Sequence, residues 1–241
     1  MSAPLYEGKA KIVYATDDPQ VYRTYFKDDA TAFNAQKRGQ ISGKGAINCA
    51  VSSYLFRVLA QAGVTNHFIE QISEREMNVQ AVEIVPLEVV VRNLAAGSLC
   101  KQTGLAEGTA IAPPLVEFYL KNDALGDPLL TPDRLRLLKI ATEAEVQHLQ
   151  TAALQVNALL QTFFNRCGIT LVDFKLEFGR DRQGQILLAD EISPDTCRLW
   201  DQQESDPEKR ILDKDRFRRD LGDVEAAYAR VLDLVAQQAQ A

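Results

Sequence analysis

Carboxylates and cations alternate along the segment Leu171 to Trp200, where the residues best suited to chemistry are concentrated. On an extended strand, Asp173, Lys175 and Glu177 share one face, and Val172, Phe174, Leu176 and Phe178 share the other. A loop centred on Gln183-Gly184, followed by an apolar run ending in Asp190-Glu191, predicts a hairpin that sets Asp190 directly opposite Glu177. Like charges opposed in this way repel across a Cβ separation of about 5 Å. A divalent cation between them removes that cost, and Mg²⁺ suits one or two carboxylates plus phosphate oxygens. A solvated edge hairpin in another register accounts for the same alternation.

Other constellations add the groups that phosphoryl transfer to an acidic substrate requires. Tyr6-Glu7-Gly8-Lys9-Ala10-Lys11 offers a Gly that lets backbone approach an anion, and two lysines on one side of a strand. It is neither a Walker A sequence nor a full GxGxxG, and a hairpin turn with solvated lysines explains it as well. Val89-Val90-Val91 delivers Arg92 to a run of small residues ending in Gly97-Ser98, a pattern suited to bidentate recognition of carboxylate or phosphate. Arg92 pairing with a neighbouring acid is the competing reading. Lys121-Asn122-Asp123 with Asp127 reads as a polar loop or a plain turn. Ser193-Pro194-Asp195 leads to Arg198, and the charge-dense Asp213–Asp220 run carries Lys214 and Arg218, a pattern that by itself describes a solvated helix start.

The rest of the composition narrows the chemistry. The four cysteines (Cys49, Cys100, Cys167, Cys197) are scattered, which argues against a zinc site or a disulfide framework. His67 and His148 stand far apart, so catalysis must rest on carboxylates, lysines and arginines. A net charge of −6 argues against a broad nucleic-acid surface. Apolar runs are too short to span a bilayer and the start lacks a signal-peptide core, so the expectation is a cytoplasmic protein with neither nucleic-acid nor membrane partner.

The elements that must position these residues follow from periodicity. Strands are predicted at Leu5-Tyr6, Ile12–Tyr14, Val21–Phe26, Phe68–Ile72, Met77–Ile84 and Leu87–Arg92, with Pro86 in the passage between the last two. An amphipathic helix is expected from Gly45 to Ala62. A functional loop follows Arg92, through Gly97, Gly104 and Gly108 to Pro113-Pro114. Thr142 and Glu145 form a capping box that opens a long helix closed by Gly168. After the hairpin comes a last helix from Asp223 to Gln238. Strands first and helices interspersed suggest an α+β fold in two lobes, residues 1–85 and 86–241.

Read in order, Tyr6–Lys11, Val90–Ser98, Lys121–Asp123, Val172–Gly179, Asp190–Asp195, Arg198–Trp200 and Asp213–Arg218 resemble the SAICAR synthetase family over essentially the whole chain. The resemblance implies a two-lobed α+β fold with a kinase-like or ATP-grasp-like nucleotide cleft, in a cytoplasmic homodimer. It implies an ATP-dependent ligase of de novo purine synthesis that joins L-aspartate to the carboxylate of carboxyaminoimidazole ribonucleotide (CAIR). By similarity, Gly8, Lys9, Ala10 and Lys11 would cover the ATP phosphates, and Val82 to Glu88 the adenine, with Lys121 also on the nucleotide. Glu177, Asp190 and Asp127 would hold Mg²⁺. Arg92, Ser98, Arg198, Lys214 and Arg218 would hold the ribonucleotide, assisted by Lys175, with Asp173 or Asp195 accepting the amine proton. Asn34 stands where some members carry an acid, and residues 201–210 show no clear motif. Two other readings use the same ATP apparatus: a small-molecule kinase and a non-catalytic nucleotide-binding module.

Overall fold

The computed structural model describes residues 3–32 and 36–239, so Asn34 lies outside the described residues. The first part of the chain forms β1 (Pro4–Glu7), β2 (Lys11–Ala15), β3 (Val21–Phe26), β4 (Asp29–Ala32), β5 (Lys37–Gln40), α1 (Lys44–Gln61), β6 (Phe68–Gln71) and β7 (Glu76–Gln80). Then come β8 (Glu83–Leu94), α2 (Ser98–Thr103), β9 (Ala110–Leu120), a 3₁₀ turn at Asp123–Leu125, β10 (Leu129–Leu130), α3 (Pro132–Leu138) and α4 (Glu143–Arg166). The chain continues through β11 (Ile169–Arg180), β12 (Ile186–Ala189), β13 (Cys197–Asp201), α5 (Asp215–Arg218) and α6 (Val224–Ala239).

The fold is α+β. One antiparallel sheet runs β1-β2-β3-β7-β6, and a larger one runs β10-β9-β8-β11-β12 with β13 also paired to β11. Helix α4 packs on β11, β8 and β9 of the larger sheet, α6 packs on α4 and α1, and α1 also packs on β6, β3 and β7 of the smaller sheet. Val51, Leu55 and Leu59 of α1, Val156, Leu160 and Phe164 of α4, and Val231 and Val235 of α6 share one buried core with Val89, Val91, Phe174 and Leu176. Fully burying each such side chain contributes about 1.5–3 kcal/mol, which fixes β8 and β11 as a rigid floor.

Local sequence explains how these elements begin. Thr142 and Glu145 form the expected reciprocal capping box on α4. Helix α1 starts differently: Asp28 accepts the backbone N–H groups of Gly43 and Gly45 and a fork from Arg75, at 2.7 and 2.8 Å. A Cβ on Gly45 would overlap the Phe26 carbonyl oxygen, so only glycine lets the helix start so close to β3.

Several expectations are corrected. Pro86 does not separate two strands; it lies inside β8, at an irregularity where the pairing with β11 shifts between Glu177 and Gly179. A proline fits there because the ladder is already interrupted. The stretch after Arg92 is not one loop: it forms α2, and β9 begins at Ala110 and includes Pro113-Pro114. Val172 does not join Phe174, Leu176 and Phe178, because the β11–β13 pairing shifts between Leu171 and Asp173; Val172 packs instead with Ala96, Trp200 and Ile211.

The hairpin register also differs from expectation. Glu177 pairs with Ala189, not Asp190. The Asp181 carboxylate accepts the backbone N–H groups of Gln183 and Gln185, and Asp181 N–H bonds to the Gln185 carbonyl. This side-chain-supported loop is centred on Gln183 and is one residue wider than a two-residue turn, which shifts the partner of Glu177 by one position.

Candidate functional site

Strands β8 and β11 form the floor of a cleft of about 770 Å³, on the sheet face away from the helices. Register places Asp173 opposite Arg92, Lys175 opposite Val90, and Glu177 opposite Glu88. Directly paired residues project to the same side, so these groups converge. The turn between β1 and β2 hangs over them: Gly8 N–H bonds to the Lys11 carbonyl, and Lys9 reaches Asp123 at 2.6 Å.

Strict alternation would point Asp190 toward the helices, since Ala189 shares the face of Glu177. Its φ of 65° turns the side chain back. Aspartate tolerates this left-handed conformation better than most L-residues. Lys11 pairs with Asp190 and lies 2.9 Å from Glu191. Burial pulls the Lys11 ammonium down, but Asp190 and Glu191 outweigh it and hold the pKa above the usual lysine range. Burial pushes Asp190 up, while Lys11, Lys175 and Lys121 more than offset it and hold that carboxyl well below its usual range. Glu177 is bound by Lys121 on one oxygen and by Lys175, at 2.7 Å, on the other.

At the other end of the floor, Asp173 is held between two guanidiniums. Arg92 Nη1 donates to it at 2.8 Å, and Arg198 Nη1 contacts both its oxygens at 3.0 and 2.8 Å. Arg92 also binds Glu117 and Tyr119 and donates to Ser98 Oγ at 3.4 Å. Asp195 accepts from Lys44 and Lys214 on one oxygen and from the Tyr228 hydroxyl on the other. Burial raises the Asp195 pKa, but Lys214, Lys44 and the Tyr228 bond outweigh it and hold the group ionised well below the normal range. Asp173 is thus held by two guanidiniums, and Asp195 by two ammonium groups and a neutral hydroxyl.

The cleft wall brings together Gly8, Lys9, Ala10, Lys11, Glu88, Arg92, Lys121, Asp127, Asp173, Lys175, Glu177, Asp190, Asp195, Arg198, Lys214 and Arg218. Val82 and Ser98 lie off that wall. A Cβ on Gly179 would overlap Val82, so Val82 packs over that glycine, and Ser98 is exposed behind Arg92. The Asp127 carboxylate accepts the Asn122 backbone N–H. Among the described residues, no cluster of three or more His, Cys, Asp or Glu is arranged to hold a metal ion. All four cysteines are free.

Sequence reasoning missed Glu191, Glu117, Lys44 and Tyr228. Glu191 was visible as the neighbour of Asp190, but Tyr228 sits among alanines and valines on α6 and reads as core. Lys44, between Gly43 and Gly45, carries no signal of burial.

Comparison with known proteins shows the family. A family model described as SAICAR synthetase matches residues 4–235. A phosphoribosylaminoimidazole-succinocarboxamide synthase from Thermosynechococcus vestitus is 69% identical over 233 residues, covering 97% of this chain and 96% of that one. The crystal structure of the synthase of that name from Ehrlichia chaffeensis superposes with a TM-score of 0.93 at 43% identity, covering 97% of this chain and 98% of the other. A solved SAICAR synthetase in complex with ADP gives a TM-score of 0.90 at 45% identity, over 95% and 96% of the two chains.

Proposed function

The chain belongs to the SAICAR synthetase family, and on that premise we propose that its cleft joins the amine of L-aspartate to the carboxylate of CAIR while ATP is cleaved to ADP and phosphate. It is an ATP-dependent ligase of purine biosynthesis. The observation that carries the mechanism is the convergence on one floor of the Gly8–Lys11 turn, the carboxylates Glu177 and Asp190, and the guanidiniums of Arg92 and Arg198. The ADP bound by a 45% identical relative supports a nucleotide in this cleft.

In this reading the Gly8–Lys11 turn and Lys121 cover the triphosphate, with Ile84, Pro86 and Glu88 beneath the nucleotide. Arg92 and Arg198, held in position by Asp173, bind the ribonucleotide. A carboxylate is a poor electrophile, so one of its oxygens first takes the γ-phosphoryl group, giving an acyl phosphate and ADP. The aspartate amine then attacks the acyl carbon, the C–N bond forms, the C–O bond breaks as phosphate departs, and the amine proton passes to the departing phosphate. Most of the rate enhancement comes from positioning and charge neutralisation. We assign Asp173 and Asp195 to charge anchoring, because Arg92 and Arg198 already hold the one and Lys44 and Lys214 the other.

Glu177 and Asp190 supply the hard oxygen donors that Mg²⁺ prefers, and their present lysine partners would find phosphate oxygens in exchange. When bound there, Mg²⁺ would supply neutralisation of charge on the transferring phosphoryl group. A division into two lobes belongs to the same reading, with the passage between the sheets at Ala81-Val82 rather than at residues 85 and 86, since one sheet closes at Gln80 and the next opens at Glu83. So do a cytoplasmic location and a homodimer. Among the described residues no helix is long and apolar enough to cross a membrane. The exposed Leu125, Leu129, Leu137 and Leu138 offer a second copy an apolar surface; sedimentation measures the mass.

The test is whether ADP release requires both CAIR and aspartate. Release with an alcohol acceptor and no aspartate would make the protein a kinase.

A further inference from the structure

Two buried groups the reaction does not touch converge on the cleft through one carboxylate. Lys44 opens α1 and Tyr228 lies on α6; each is 0% exposed and neither lines the cleft. Tyr228 donates to Asp195 Oδ1 at 2.7 Å, and Lys44 Nζ donates to Oδ2 at 2.9 Å. Lys214, which does line the cleft, shares Oδ2 at 3.2 Å. We propose that Lys44 and Tyr228 are positioning residues that lock the Asp195 carboxylate from behind, so that Lys214 presents its ammonium to an anionic oxygen group of a substrate. The proposal rests on the ligase reading above.

Three observations support it. Burying a lysine ammonium is expensive unless it is paired, and an apolar side chain of similar volume would pack at that position without the penalty. Lys44 is nevertheless enclosed, held between Gly43 and Gly45 by the Asp28 cap, with Asp195 as its ion-pair partner. The charges of Lys44, Lys214 and Asp195 leave one positive charge over, and of the two lysines it is Lys214 that lines the cleft. Finally, Lys214 is itself under strain: burial lowers its pKa, and of its neighbours Asp195 opposes that while Arg218 and Lys44 add to it. Its charged state therefore depends on the orientation of Asp195. Without Tyr228 and Lys44 behind it, that carboxylate is free to rotate away from Lys214.

The experiment compares wild type, Tyr228→Phe, Lys44→Gln, Lys214→Gln and the Tyr228→Phe/Lys214→Gln double variant. Steady-state KM is measured for CAIR and for aspartate, and ADP affinity by calorimetry. Tyr228→Phe removes one oxygen, a hydrogen bond to a charged group, so KM for one acidic substrate should rise roughly tenfold while ADP affinity stays unchanged. A rise confined to CAIR identifies the ribonucleotide as the anion; a rise confined to aspartate identifies the amino acid. In the Lys214→Gln background the Tyr228 effect should vanish, as expected for groups acting through one another. Lys44→Gln should repeat the pattern. Unchanged KM values in Tyr228→Phe, equal loss of ADP affinity and melting temperature, or a full Tyr228 effect without Lys214 would overturn the proposal. Failure of wild type to turn over CAIR and aspartate would instead remove the ligase reading.

Discussion

Glu177 stands directly opposite Glu88 on the neighbouring strand, and Lys175 Nζ lies between them, 2.7 Å from one and 2.9 Å from the other. Two carboxylates facing each other on paired strands repel. The bridging ammonium removes that cost, and burial is offset by Glu177, Asp190 and Glu88, which raise the Lys175 pKa well above the usual range. Lys175→Met should therefore destabilise the fold by about 2 kcal/mol, within the span for breaking partly buried charge-assisted bonds, and abolish turnover. Urea unfolding and a single-turnover assay check the two effects separately.

Glu177→Gln and Asp190→Asn keep side-chain shape, and asparagine adopts the left-handed backbone that Asp190 needs. Each should lower kcat by about a hundredfold or more, in line with loss of one preorganised electrostatic group, with the circular dichroism spectrum retained. Chelation of divalent cations should abolish wild-type turnover. Wild-type rates in either variant would remove the metal assignment.

Gly97 has φ of +56°, and a Cβ there would overlap the Arg198 guanidinium. Gly97→Ala should push Arg198 off Asp173 and weaken ribonucleotide binding while ADP affinity is kept. Isothermal titration with each ligand measures this. Equal loss for both ligands would point to misfolding instead.

His67 is enclosed against the Phe56 ring, its Nε2 without a partner, and burial lowers its pKa to about 4 from 6.5. Between those two values the unfolded chain binds the proton and the native protein does not. Stability should therefore fall as pH drops from 6.5 toward 4, and change no further on this account below that. Thermal melts of His67→Gln should lack this increment of acid sensitivity. An identical pH profile in the variant would show that other groups set it.

The segments whose patterns were strongest were readable in the chain. The long helix with its Thr142–Glu145 box and the alternation of β11 from Asp173 to Phe178 depend on local periodicity and capping and occur as expected, whereas the bulge that turns Val172 to the other face was not readable. Register was not readable. It turned on whether Asp181 would fold its side chain over two backbone N–H groups, a choice that widens the loop by one residue. Pro86 misled because a proline in a central strand needs an interruption that only the β11 partner supplies.

The amino-acid sequence by itself determined which chemical groups this protein has and the order in which they occur: a Gly-Lys turn, paired acids, and arginines after small residues. Those follow from residue type and short spacing, and they suffice to recognise the family. Tertiary structure alone decided which groups touch. It set Ala189, not Asp190, across the hairpin from Glu177 and Glu88 on its other side, turned Asp190 into the cleft through one left-handed residue, and brought Lys44 and Tyr228 from distant helices to Asp195. The reason is that contacts between residues far apart in the chain depend on strand register and on the burial of helices against the sheet, both settled by the whole fold at once.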